Sequence, residues 1–312
     1  MQRHEKASTG AAAYADHAAG VEAFLATVHQ GSFTRAAVHL CLTQPGVSRQ
    51  IARLERALGA SLLVRHRGGA ALTPAGERHR AYAEDALARH HLLMEELSGG
   101  DAVLSGPLRI AASTTPSEVL VPRLVTRFTS RHPDVQATVF TADSLAVVEH
   151  VRQRRWDVGF AGVRIERTGL RFEAIATDEV VLAVPRHHPF ARRATVPLAA
   201  LEGQSFVERE SGSGTMLSVG RALAERGLRL PAHRVSMTLG STQAIVAAVR
   251  DGYGIGFVSA DALAELAGDR VATVRLAGAP LCRELYLVLD ERRVLPPVPR
   301  AFAAFCIRQA KS

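Results

Sequence analysis

Residues 31–58, GSFTRAAVHLCLTQPGVSRQIARLERAL, decide how the first part of the chain folds. Gly31 closes a helix predicted over 20–30, where Val21, Phe24, Leu25 and Val28 recur at helical spacing and mark one buried face. Ser32 and Thr34 can cap the start of a second helix. Its Ala36, Ala37 and Leu40 leave a small face that lets a neighbour approach closely. Leu42 is expected to be a buried plug in the next turn. Thr43 is the expected N-cap of a third helix, with Pro45 in its first turn, where a missing N–H costs nothing. Val47, Ile51, Leu54 and Leu58 then follow at spacings of 4, 3 and 4, one apolar stripe, and Ser48, Arg49, Arg53 and Arg56 take the opposite face.

Two short helices joined by a tight turn, with Gln44, Pro45, Ser48 and Arg49 exposed at the start of the second, form a unit that places a helix end in the major groove of DNA. Gln and Arg make bidentate contacts with base edges, and Pro or Thr can touch a thymine methyl. The alternative is a helical hairpin inside another core. Arginine alone does not decide, because Lys6 and Lys311 are the only lysines and Arg is the default cation of this chain. Charge placement decides: residues 29–80 hold eight arginines against two glutamates, in a chain whose whole net charge is +8. Such a cluster suits phosphate contacts, whose strength falls steeply with salt. Further on, residues 62–64 and 70–72 read as two short strands around a turn over 65–69, a wing with arginines at its tip. Thr73-Pro74 then opens another helix.

Residues 31–77 resemble the winged helix-turn-helix of LysR-type transcriptional regulators. The shared marks are GSFTRAA, the run Leu40-x-x-x-Gln44-Pro45-x-Val47-Ser48-Arg49-Gln50-Ile51, Leu54-Glu55, Leu58-Gly59 and Leu72-Thr73-Pro74-Ala75-Gly76. Two departures, Leu63 where the family carries Phe and the unusual Cys41, leave the DNA-facing positions untouched. The resemblance implies that Thr43, Gln44, Pro45, Ser48 and Arg49 face the groove, with Arg35, Arg53 and Arg65 near phosphates. It implies an N-terminal all-α winged helix-turn-helix over 19–73 after a disordered extension, 1–18. A linker and dimerisation helix follows over 74–98, with Tyr82, Ala86, Leu93 and Leu97 near one stripe, then a hinge over 99–106. The rest, 107–312, is implied to be an α/β two-lobed effector domain similar to a periplasmic binding protein, lobe I at about 107–177 and 286–312 and lobe II at about 178–285. The implied partners are double-stranded DNA carrying an interrupted inverted repeat, further copies of the chain in a dimer or tetramer, and RNA polymerase.

The residues after Pro107 support an α/β reading by themselves. Strands are predicted at 108–112, 135–140 and 156–161 with helices at 119–130 and 145–154, an alternation that specifies a parallel sheet. A second cycle has strands near 180–185, 205–209, 234–239 and 255–258 and helices near 215–227 and 242–251; a strand at 285–289 and a helix at 299–309 end the chain. Ligands of such folds bind at the C-terminal ends of strands, between lobes. Three segments there carry hydroxyls at expected helix starts: 112–117 with Ser113, Thr114 and Thr115, 210–215 with Ser213 and Thr215, and 240–242 with Thr242. Peptide dipoles at helix N-termini favour an anion, although plain N-caps use the same residue types. The expected ligand is a small anionic effector, with no cofactor and no metal.

An enzyme is the main rival. The chain lacks a G-x-S-x-G elbow, a P-loop and a G-x-G-x-x-G after a strand, and no Ser–His–Asp set can be assigned. A stand-alone solute-binding protein is the other rival, disfavoured by the N-terminal module and the lack of an apolar leader at 1–20. No apolar run approaches the ~20 residues that span a bilayer. Cys41, Cys282 and Cys306 are odd in number and far apart, as expected for reduced, buried thiols in a cytoplasmic protein. The 13 histidines show no zinc-binding spacing and are expected to be solvated.

Overall fold

The computed structural model describes residues 17–66, 69–97, 103–278 and 280–310. Residues 1–16 of the expected extension, the wing tip Arg67-Gly68 and residues 99–102 of the expected hinge lie outside the described residues. The chain divides into two compact units, Met1–Leu97 and Ser98–Ser312.

The first unit is built on α1 (17–30), α2 (Phe33–His39) and α3 (Gln44–Leu58). His17 and Ala18, expected in the disordered extension, already belong to α1. Phe24, Leu25, Phe33, Ala36, Val47, Ile51 and Leu54 meet in one core. Leu42 and Leu58 correct the expected pattern, each being 42% exposed. The turn closes through backbone instead: Cys41 takes a left-handed φ of 54°, and the Leu42 N–H reaches the Ala37 carbonyl at 2.8 Å. Leu58 is the last residue of α3, beyond the reach of the core.

The wing is an antiparallel pair, β1 (Leu63–His66) and β2 (Gly69–Leu72), so Arg65, His66 and Gly69 are strand rather than turn residues. Leu62, expected in the strand, is instead a buried anchor before it. The Glu55 carboxylate holds that anchor, accepting from the N–H groups of Leu62 at 2.7 Å and Leu63 at 3.2 Å. Thr73 then caps α4 (Pro74–Leu97), its hydroxyl oxygen accepting from the Gly76 N–H at 2.9 Å. Gly76 must be glycine because a Cβ there would meet the Leu62 carbonyl oxygen at 2.0 Å. Along α4, Ala83 and Ala88 are buried, while Tyr82, Leu93 and Leu97 of the expected stripe are exposed within the unit.

In the second unit β3 (Gly106–Ser113), β4 (Val135–Ala142) and β5 (Val158–Ala161) lie parallel in the order β4-β3-β5, as the alternation predicts. Trp156 and Asp157 lie in a bend before β5. The helix expected to begin near 119 begins at Thr114 and runs through a π-helical turn, Pro116–Leu120, into α5 (Val121–Thr129). β4 leads to α6 (Ser144–Arg152). Here β6 (Leu170–Pro185) is 16 residues long and the strand expected near 180–185 is only its end. Its early part, LRFEAIATDE, shows no clean alternation, so its strand character comes from pairing.

A short strand, β7 (Thr195–Val196), precedes the parallel pair β8 (Ser205–Arg209) and β9 (Arg234–Leu239), which flank α7 (Gly214–Ala224). Then come α8 (Thr242–Arg250), β10 (Gly256–Ser259), α9 (Ala260–Leu266), β11 (Val271–Leu276), β12 (Leu281–Asp290) and α10 (Pro297–Ala310). β12 pairs antiparallel with β6 from Leu281↔Val180 to Asp290↔Leu170, so this ribbon is shared by both lobes. One lobe packs Leu108, Ile110, Phe128 and Phe160 against Phe302 of α10. The other packs Leu182, Leu201, Phe206, Leu223 and Phe257 on one sheet face and Val181, Ile245 and Val258 on the opposite face.

Of the three thiols only Cys306 is buried, and burial pushes its pKa up to about 12. Cys41 and Cys282 are exposed, against expectation: Cys41 sits in the left-handed turn and Cys282 at an outward position of β12. Not all histidines are solvated; His79 lies tilted against Phe24 with ring centroids 5.3 Å apart, and desolvation lowers its pKa. No described helix is long and apolar enough to cross a membrane.

Candidate functional site

In the first unit the candidate edge is the start of α3. Thr43 is extended and its hydroxyl oxygen accepts from the Gly46 N–H at 3.2 Å, which satisfies one helix-end donor. Gln44, Pro45, Arg49 and Arg53 are exposed and Ser48 is half-buried. Arg35 is exposed, yet its Nε donates to the Gln30 carbonyl at 2.9 Å and ties the end of α1 to α2. Arg65 pairs with Ala70 in the wing; its side chain lies outside the described residues.

In the second unit Ser113, Thr114, Thr115, Ser213 and Thr215 come together around one cavity with Asp143, Ser144, Arg209, Gly214 and Arg283. The cavity measures about 10 Å³, room for the centre of one water. Helices begin at Thr114, Ser144 and Gly214, so three positive peptide-dipole ends bear on it. Thr242 is buried at the start of α8 but lies beside Glu118 rather than on this wall.

Hydrogen bonding determines what the hydroxyls can offer. Arg283 donates from Nη1 to Thr215 Oγ1 and from Nη2 to Thr115 Oγ1, both at 2.9 Å. Arg209 Nη2 donates to Thr114 Oγ1 at 2.8 Å. The Gly162 N–H is shared by Ser113 Oγ at 3.1 Å and Ser144 Oγ at 3.3 Å. A hydroxyl whose oxygen accepts keeps its proton for another partner. Five hydroxyls are thus set to donate, and Ser213 Oγ, also buried, has no protein partner among the described residues.

The arginines are held from behind. Arg283 is buried, and its Nε donates to Asp178 Oδ2 at 2.8 Å; Asp178 also accepts from Ser259 Oγ at 2.6 Å. Burial lowers the Arg283 pKa while the Asp178 carboxylate opposes that shift. Arg209 grips Glu210 with two hydrogen bonds, 2.9 and 2.7 Å. Burial raises the Glu118 pKa, with Thr242 and Arg209 pulling the other way.

Sequence reasoning missed Arg209, Arg283, Asp143 and Ser144. Asp143-Ser144 carried a usable signal, since it is a cap between a strand and a helix like the three chosen segments. The arginines carried a weaker one: each falls at a buried position of its strand, Arg209 in SFVER and Arg283 in LCRELYLVLD, where Arg283 alternates with Leu281 and Leu285.

Comparison with known proteins finds two family models. Residues 19–77 match the bacterial regulatory helix-turn-helix protein, lysR family, and residues 101–311 match the LysR substrate binding domain. The RuBisCO operon transcriptional regulator of Allochromatium vinosum is 32% identical over 291 residues, covering 92% of this chain and 94% of that one. Full-length OxyR from Pseudomonas aeruginosa has the same fold, with a TM-score of 0.78 over 94% of both chains at 18% identity. The regulatory domain of Synechocystis CcmR, solved in complex with 2-PG, is 25% identical with a TM-score of 0.60, covering 67% of this chain and 99% of that one.

Proposed function

The chain belongs to the LysR family as a DNA-binding transcriptional regulator with an effector-binding domain, not an enzyme, and from that premise we propose that its effector is a small oxyanion held between the two lobes. The observation that carries this reading is the set of hydroxyls at 113–115, 144 and 215 whose oxygens are occupied by N–H donors. Their protons suit a ligand rich in acceptors and poor in donors, and donation is strengthened where the hydroxyl itself accepts from a guanidinium. Ser213 adds a sixth hydroxyl, and Thr242 acts indirectly through Glu118.

On the DNA side, Thr43, Gln44, Pro45, Ser48 and Arg49 read base edges, while Arg35, Arg53 and Arg65 meet phosphates. Two copies related by a two-fold axis read the halves of an interrupted inverted repeat, as a dimer or a dimer of dimers joined along α4. The protein works in the cytoplasm and acts on transcription through contact with RNA polymerase. Because the cavity has room for only about one water, an effector must bind an arrangement of the lobes different from this one. Only that differential affinity shifts the DNA-binding state.

The test is a melting series of the full chain with sulfate, phosphate, acetate and succinate, set against uncharged glycerol. An anion at about 100 times its Kd adds about 2.7 kcal/mol of stability. At least one anion is expected to raise Tm and change affinity for an inverted-repeat duplex. The reading fails if no anion does so.

A further inference from the structure

A second cavity, of about 200 Å³, is lined by Arg164, Ser218, Arg221, Glu225, Glu284 and Tyr286. It shares Arg283 with the effector cavity as a common wall, and its Gly162 donates to Ser113 and Ser144 of that cavity. Helix α7 serves both, with Thr215 in its first turn on one and Arg221 in its last turn on the other. The volume is about twenty times that of the first cavity, so this one is open to a small molecule without movement of the lobes.

The lining is charged, and with Arg283 neutralised by Asp178 the remaining charges are balanced, two guanidiniums against two carboxylates. Arg164 and Arg221 lie at one another, Arg221 Nη2 donating to the Arg164 carbonyl at 3.2 Å. The same lining holds two carboxylates, Glu225 at the end of α7 and Glu284, the latter accepting from the Tyr286 hydroxyl at 2.5 Å. That hydroxyl is held protonated: burial and then Glu284 push its pKa up to about 12, against the pull of Arg164 and Arg221. The phenol is therefore a fixed donor and Glu284 a fixed acceptor. The ring of Tyr286, edge-on to Phe172, gives a rigid wall, and Val163 and Ala222 give apolar ones. A simple anion here would face two carboxylates and a simple cation two guanidiniums. A ligand carrying both charges a few ångströms apart satisfies both pairs.

We propose that this cavity is a second small-molecule site, taking a zwitterion of the size of a free α-amino acid, with its carboxylate on Arg164 and Arg221 and its ammonium on Glu284 and Glu225. It differs from the oxyanion site in ligand charge and in all lining residues but Arg283, so the two sites fail separately.

The experiment titrates the full chain by calorimetry with each of the twenty proteinogenic amino acids, then with the des-amino and des-carboxy analogues of any binder. The expected result is saturable binding, one per chain, of at least one amino acid, and loss of binding for both analogues. Arg221→Ala and Glu284→Gln should each weaken it about tenfold or more, the scale of one charge-assisted hydrogen bond, with an unchanged melting temperature. Thr114→Val should leave it unchanged, because that hydroxyl is held by Arg209 and neither residue lines the second cavity. Binding by none of the twenty, full retention by a des-amino analogue, or indifference to both variants would overturn the proposal, whatever the sulfate response.

Discussion

Replacing Thr215 by valine separates the hydroxyl from the shape it occupies. Thr215 is 3% exposed and its Oγ1 accepts from Arg283 Nη1 at 2.9 Å. Valine leaves that N–H buried without an acceptor, which costs about 1–3 kcal/mol. At about 2 kcal/mol, a unit of roughly 200 residues melts about 4–8 °C lower. The same change removes one of the hydroxyl donors aimed into the cavity. Losing one charge-assisted hydrogen bond, about 1.5–3 kcal/mol, weakens the bound anion about 10- to 100-fold. Thr215→Ser keeps the hydroxyl and loses only a methyl, so it should bind the anion within about threefold of the parent at a stability cost near 0.8 kcal/mol. The assay is calorimetry with whichever of sulfate, phosphate, acetate or succinate binds the parent, alongside melting curves and duplex affinity without anion, which stays unchanged. If valine binds the anion as well as threonine does, or serine loses as much as valine, the hydroxyl-donor argument is wrong.

Three further outcomes follow from the geometry. Gln44→Ala should reduce discrimination between operator and unrelated duplex, whereas Arg65→Ala should weaken binding to both and lower the salt slope by about one; equal effects in anisotropy titrations would sink the division of roles. Burial raises the Glu118 pKa, so the native state binds more protons than the unfolded chain just above the ordinary carboxylate value. The associated stability is therefore full below the unfolded pKa and lost as pH rises through the folded one. Glu118→Gln should gain in Tm relative to the parent across that rise, and parallel Tm–pH curves would refute it. Gly76→Ala, whose Cβ would sit 2.0 Å from the Leu62 carbonyl oxygen, should destabilise the DNA-binding unit by about 2 kcal/mol or more despite the better helix propensity of alanine. Calorimetry should show the melting of the effector unit unmoved.

The legible parts of the chain were those where one helix or strand declares its own environment. The stripe Val47, Ile51, Leu54 names the buried face of α3 without reference to anything distant, and Thr43 caps it within four residues. Hydroxyls at 113–115 and 213–215 were visible because strand-to-helix junctions are local. Leu42 and Leu58 misled for the complementary reason. Both fit a local pattern, and only the left-handed backbone at Cys41 and the end of α3 put them outside the core.

The sequence by itself therefore determined the helix-turn-helix, its basic edge, the α/β alternation and the hydroxyl-rich junctions, since all arise from spacings of a few residues and from charge counts over short windows. Only the tertiary structure decided the length of β6, which exists because β12 pairs along it from 101 to 120 positions away, Leu281 with Val180 and Asp290 with Leu170. Only it placed Arg283 between Thr115 and Thr215, 168 and 68 residues distant, with Asp178 behind it. A buried guanidinium is tolerable solely where acceptors from several segments converge on it. That convergence is non-local, and it is what turns a set of common caps into donors facing one cavity.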